Sequence, residues 1–287
     1  MKEKFRSDKI TPKRLEYIYV INSILEEYEK QGYRLTLRQL YYQLVARAKI
    51  PNRVQEYSKL SSVLVAARMN GLTDWSMIED RTRRPHIPYW VRSIQEALVD
   101  TIRSYRLDRQ EDQEKCVEIW SEKDAVSNIL KRVSEYFHIR LMINRGYSSC
   151  SAMKMALDRL QLPGRKTIIL YVGDHDPSGL DMIRDIETRL DELGLDSFKV
   201  IHVALTKEQI DEYNPPPNPA KITDPRARQY IYEHGSESWE LDALKPNVLE
   251  EIVRQNVENY IDLDLFESMI KREKEDKEKL RKIIENI

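Results

Sequence analysis

The chain has 287 residues, of which 33% are charged and 41% hydrophobic, with a formal net charge of −1. This is the balance of a soluble globular protein rather than a disordered one. No apolar run approaches the roughly 18 residues of a membrane span, and the opening MKEKFRSDKITPKR lacks the apolar core of a signal peptide, which predicts a cytoplasmic protein with no membrane partner. Cys116 and Cys150 are too few and too isolated for a disulfide framework or a zinc site.

The near-zero net charge hides an asymmetry. Of the 47 Lys and Arg and the 48 Asp and Glu, residues 1–110 hold 21 and 13, leaving 26 and 35 for the remainder. A basic part beside an acidic part suggests a polyanion-binding module joined to a metal-binding one.

The amino-terminal part reads as helices. Residues 12–31 carry an apolar stripe at Leu15, Ile18, Tyr19, Ile21, Ile24 and Leu25, and Gly32 stops it. Thr36 can cap a second helix, LRQLYYQLVARA, which ends before Pro51. A third spans about 54–70, with Tyr57, Leu60, Leu64 and Ala67 on one face. Arg53, Lys59, Ser61, Ser62 and Arg68 lie on its polar side, suited to phosphate contacts. A loop with Arg81, Arg83 and Arg84 follows, then a linking helix over about 89–105. Three short helices and a basic loop are the order of a winged helix-turn-helix, so residues 1–110 are assigned to a DNA-binding domain.

From residue 115 strands alternate with helices. KCVEIW, IRLMIN, KTIILYVGD and FKVIHVAL are the strands, and their spacing predicts an α/β domain over 111–287 with a Rossmann-like parallel sheet covered on both faces. Ligands in such sheets bind beyond the carboxyl ends of the strands, where Glu122, Arg145-Gly146, Asp174 and Asp176 fall. The tail contains a proline-rich connection (YNPPPNPAKITDPRARQY), a helical segment from SWELDAL onward and a charged terminal helix. Glu240 and Asp242 alternate with Trp239 and Leu241, as at a packed helix start, and are left outside the site.

The acids carry the chemistry. A strand has a side-chain period of two, so Asp174 and Asp176 are expected to point to one side and His175 to the other. Two carboxylates at one strand end, with Glu122 from a neighbour, make an oxygen cage suited to Mg²⁺.

SEKDAV and YVGDHDPSGLDM resemble the two motifs of the Toprim domain, most closely those of the topoisomerase VI A subunit and the related meiotic double-strand-break protein. NRGYSS sits where that family has a Gly-Tyr turn between the motifs. The resemblance implies that Asp174 and Asp176 hold Mg²⁺, with Glu122 as a further ligand or as the acid that protonates the leaving oxygen. Lys123 and Arg145 would pair with neighbouring phosphates.

LRQLYYQLV resembles the segment of the same family that carries the catalytic tyrosine, often the second of an adjacent pair. On a helical projection Leu40, Leu44, Val45 and Ala48 form one arc that includes Tyr41, while Tyr42 lies outside it beside Arg38. Tyr41 is therefore expected in the core and Tyr42 exposed, next to a cation that lowers its pKa or holds a phosphate. The family brings the tyrosine of one subunit to the acids of the other, so the resemblance implies a homodimer on double-stranded DNA, a 5′-phosphotyrosyl link and nucleoid association. With no G-x-x-x-x-G-K-[ST] loop, strand passage would need a separate ATPase subunit. The alternatives are a hydrolytic Toprim nuclease in which Tyr42 is structural, and a non-catalytic DNA-binding protein.

Overall fold

Local capping sets the helical boundaries. A computed structural model describes residues 2–79, 88–144, 146–162 and 164–285. Arg81, Arg83, Arg84 and Arg145 lie outside the described residues. Helix α1 (Pro12–Lys30) begins with proline in its first turn behind the Thr11 cap. Helix α2 (Leu37–Ala46) opens on a capping box between Thr36 and Gln39, and α3 (Val54–Met69) follows. Ile18, Ile21, Leu25, Leu40, Leu44, Leu60 and Leu64 interlock these three helices into one apolar cluster. Before Lys115 the described residues contain isolated bridges, Lys4 with Asn70 and Leu35 with Ile78, and no strand. Helix α4 (Ile94–Ser104) starts five residues later than predicted, because the Ser93 side chain caps it at the Glu96 amide.

The second part is a mixed α/β unit built on a four-stranded parallel sheet, with eleven α-helices along the described chain as a whole. Strands β1 (Lys115–Ser121), β2 (Arg140–Ile143), β3 (Lys166–Val172) and β4 (Phe198–Ala204) lie in the order β2-β1-β3-β4. Their alternating side chains feed two cores. Val117, Ile119, Ile168 and Leu170 pack against α5 (Ser127–Phe137) and α10 (Pro246–Glu258). Trp120, Ile169 and Tyr171 pack against α6 (Cys150–Gln161) and α7 (Pro177–Glu192). On that second face the buried Glu118 is held by a bidentate pair with Arg159, at 2.8 and 2.9 Å. A buried carboxylate needs such a partner.

After β4 comes α8 (Lys207–Tyr213). The stretch expected as a proline-rich connection, residues 213–230, contains β5 (Asn218–Pro219), which pairs antiparallel with β6 (Glu237–Ser238), and the start of α9 (Ala227–His234). The SWELDAL segment is not a helix start: Trp239 bridges to His175, a single 3₁₀ turn covers Leu241–Ala243, and α10 begins at Pro246. That turn leans on α2, and Ala243 joins the amino-terminal apolar cluster. The charged α11 (Leu263–Glu285) closes the chain against α4. No helix among the described residues is long and apolar enough to cross a membrane.

Candidate active site

The sheet register places the acids. Ser121 on β1 pairs with Val172 on β3, so Glu122 and Asp174 emerge side by side past adjacent carboxyl ends. Strand β3 ends at Val172, before the acids, so the strand alternation expected through Asp174 and Asp176 does not apply. Asp176 is instead the N-cap of α7, its Oδ1 accepting the Ser178 and Gly179 amides at 2.9 and 2.7 Å. Gly179 is required for this turn: a Cβ there would stand 2.2 Å from the Asp174 carbonyl oxygen. His175 turns to the other side, its Nδ1 2.9 Å from the Tyr230 hydroxyl.

Around Asp174 the charges are dense and mostly buried. Its Oδ1 accepts the Leu241 amide at 2.7 Å and lies 2.7 Å from the Lys123 ammonium. Lys123 also pairs with Glu240 and, at 3.3 Å, with Asp242. Arg38, from α2, reaches Glu240 at 2.5 Å and Asp242 at 3.1 Å. Burial works against the Lys123 ammonium, but Asp242, Asp174 and Glu240 outweigh it and push its pKa above the ordinary value. Burial lifts the Asp174 carboxyl to about 8 in spite of Lys123. Glu240 goes the other way, to about 2, because Lys123 and Arg38 overcome its own burial. Burial and the Asp176 charge push the half-buried Glu122 carboxyl up.

Tyr42 is not exposed. It retains 4% of its surface and Tyr41 5%, so both rings are in the core. The helical projection weighed only α2 against its sequence neighbours, whereas the outer face of α2 is covered by residues far along the chain. The Asn218 amide donates to the Tyr42 hydroxyl at 3.0 Å, and Glu240 engages Arg38 one turn before it. Arg38 does lie beside Tyr42 as expected, with its guanidinium carbon 5.9 Å from the ring centroid. The Tyr42 pKa is nonetheless raised: burial and Glu240 outweigh Asn218, Arg38 and Lys123. Tyr41 is tied off, its hydroxyl donating to Asn52 Oδ1 at 2.9 Å.

Arg38, Tyr42, Arg53, Asp176, Asn218 and Glu240 line one cleft of about 540 Å³. Tyr42 thus shares a cleft with one of the three expected acids, Asp176, within a single chain, where the resemblance implied a meeting across two; Glu122 and Asp174 do not line it. Lys59 is paired with Glu56 at 3.2 Å. Arg68 stacks on Trp75, 4.3 Å from the ring centroid, and donates to its carbonyl at 3.1 Å. Both are engaged with their own fold. Glu240, Asp242 and Asn218 are the residues that the sequence reading left out. The E-x-D spacing of Glu240 and Asp242 repeats the D-x-D of Asp174 and Asp176, and that was the available signal.

Mg²⁺ requires oxygen donors and an excess of negative charge. Glu122, Asp174 and Asp176 all raise the pKa of the Tyr171 hydroxyl, after burial itself, and that hydroxyl has no hydrogen-bond partner. With Glu240 and Asp242 the site sets five carboxylates against the cations Lys123 and Arg38. The donor chemistry and the charge fit the ion. The coordinating arrangement is not assembled: among the described residues no three His, Cys, Asp or Glu side chains are grouped to hold a metal. One Asp176 oxygen serves the helix cap, and one Asp174 oxygen serves Leu241 and Lys123. No protein-family model matches the chain, and no curated protein does.

Proposed function

We propose that this cleft cleaves DNA phosphodiesters with Mg²⁺ and that Tyr42 is the nucleophile, acting with the acids of its own chain. The observation that carries the reading is the single cleft lined by Tyr42, Arg38, Asp176 and Glu240. Asp174 and Asp176 would hold the ion, which would supply positive charge to a non-bridging phosphate oxygen. Toprim chemistry on a Toprim-like sheet beside a winged-helix-like domain rests on the motifs SEKDAV and GDHDPSG and on the parallel sheet that presents them.

In this reading the Tyr42 oxygen attacks phosphorus, a 5′-phosphotyrosyl bond forms and the bond to the 3′ oxygen breaks. Glu122, its carboxyl raised by burial, donates the proton that the leaving 3′ oxygen takes up. Glu240 at about 2 is a poor base, so the tyrosine proton leaves to water. Arg38, beside the ring, is placed to hold the phosphate and to favour the phenolate. Arg53, exposed at the cleft rim, is a candidate contact to the DNA backbone. Cutting both strands would take two copies, and strand passage would take a separate ATPase.

Hydrolysis is the second reading, favoured by the burial of Tyr42 and its raised pKa. End-labelled duplex DNA with Mg²⁺, quenched in denaturant, separates the two. Protein attached to 5′ ends in wild type and Tyr41→Phe, but lost in Tyr42→Phe, is the expected result. Free 5′-phosphate ends from wild type and Tyr42→Phe alike would replace it with hydrolysis.

A further inference from the structure

A second cavity, about 640 Å³, lies between α1 and α3 on the far side of the loop that joins α2 to α3. Its rim carries Lys13, Arg14 and Lys49. Among the described residues the Lys13 and Lys49 ammonium groups have no ion-pair or hydrogen-bond partner, and the Arg14 guanidinium makes only a 3.0 Å bond to the Ser62 carbonyl. Glu56 in the same wall is neutralised by Lys59, which leaves Glu16 as the opposing charge. The net balance is positive in a cavity whose floor is apolar, with Val20, Ile50 and Val63. The Tyr17 hydroxyl and Arg14 Nε end in this wall without a hydrogen-bond partner. Buried polar atoms without partners are uncommon and call for an explanation.

The cavity is continuous in sequence with the candidate active site. Lys49, Ile50 and Pro51 line it, while the next residues, Asn52, Arg53 and Val54, line the cleft. Tyr41 holds that loop from beneath, through Asn52 Oδ1 and the Arg53 carbonyl. Four residue steps from Lys49 to Arg53 span at most roughly 14 Å, so one ridge separates the two openings.

We infer that this cavity is a phosphate subsite that takes a nucleotide unit, the phosphate on Lys13, Arg14 and Lys49 and the base against Val20, Ile50 and Val63. The ligand is a nucleotide of the strand that enters the cleft. That choice of source rests on the cleavage reading; the phosphate site itself does not. The sequence puts phosphate contacts on Arg53, Lys59, Ser61, Ser62 and Arg68 of the third helix, whereas the cations of this cavity other than the Glu56-paired Lys59 come from α1 and the α2–α3 loop.

The test uses the full chain, a fluorescent single-stranded oligonucleotide and no Mg²⁺, with affinity measured from 50 to 200 mM salt. Lys13→Ala/Lys49→Ala is compared with Lys166→Ala/Lys199→Ala, which removes the same charge at the opposite, amino ends of β3 and β4. Loss of two phosphate contacts lowers the salt slope by about 1.4, so the affinity lost over that range shrinks about sevenfold. The control pair should keep the wild-type slope. Equal slopes for the two double variants, with deoxynucleoside monophosphate binding unchanged in Lys13→Ala/Lys49→Ala, would overturn the subsite. Equilibrium dialysis with a labelled deoxynucleoside monophosphate separates the sources. Binding that Lys13→Ala/Lys49→Ala abolishes while its oligonucleotide slope stays at wild type would make the ligand a free nucleotide and overturn the strand assignment. Because nothing in this assay reads cleavage, failure of the tyrosine mechanism and failure of the subsite give different results.

Discussion

Lys123→Met removes the ammonium that sits between Asp174, Glu240 and Asp242 while keeping a side chain of similar length. The side chains of Lys123 and these three acids are between 0% and 18% exposed, so the losses of a buried ion pair apply rather than the small ones of a surface pair. Breaking a buried pair by deleting one partner costs about 3–5 kcal/mol. Arg38 still serves Glu240 and Asp242, which leaves Asp174 as the carboxylate with no cation. The folded Asp174 already binds its proton up to about pH 8, against an ordinary value of 3.8, and loss of Lys123 raises it further. At pH 5.5 wild type and variant both carry the proton on Asp174, so no unpaired charge is buried; the loss grows only above about pH 8, where the wild type releases that proton and the variant keeps it. Urea unfolding should show a loss of about 3–5 kcal/mol at about pH 9.5 and a clearly smaller one at about pH 5.5. Millimolar Mg²⁺ should recover part of the loss at the higher pH, because an ion that takes the place of the ammonium binds only the folded state. A loss under about 1 kcal/mol at the higher pH is what an exposed pair would give, and it would refute the reasoning, as would equal losses at the two pH values.

Three further outcomes are expected. Asp176→Ala loses the α7 cap and about 0.5–2 kcal/mol, whereas Asp176→Ser keeps the cap and the stability but loses Mg²⁺-dependent cleavage; an active Asp176→Ser protein would leave Asp176 as a cap alone. Gly179→Ala pushes a methyl against the Asp174 carbonyl and should cost about 1–3 kcal/mol in urea unfolding, with no change expected only if the α7 turn shifts freely. Between pH 5.5 and 8 the folded chain holds the Asp174 proton that the unfolded chain has released, so wild-type stability should fall as pH rises, and Asp174→Asn should flatten that slope. Glu240 acts in a separate window: held at about 2, it adds stability above about pH 4.5 that is lost as pH falls toward 2. Parallel pH profiles for wild type and Asp174→Asn would place the titrating group elsewhere.

Much of the frame was legible along the chain because it depends on neighbours. Thr36 and Gln39 lie three residues apart, and the capping box they form is local. The strands expected over 115–120 and 166–174 became β1 and β3, with the second two residues shorter, and a parallel pair of buried strands delivers Glu122 and Asp174 to the same edge. Arg38 beside Tyr42 followed from one helical turn.

Tertiary structure decided what the helical projection and the strand alternation could not see. Tyr42 was placed outside the apolar arc of α2, and within that helix it is; Asn218 reaches its hydroxyl from far along the chain, and the 241–243 turn packs on the same helix. Asp176 passed from a strand position to a helix cap because β3 stops at Val172. Glu240 and Asp242 looked like the start of a packed helix, yet they close on Lys123 and Arg38. Sequence periodicity reports which face of an element is apolar, and so it located the sheet and its acidic edge. Which charge balances which acid depends on contacts made across the fold, and only the packed chain supplies those.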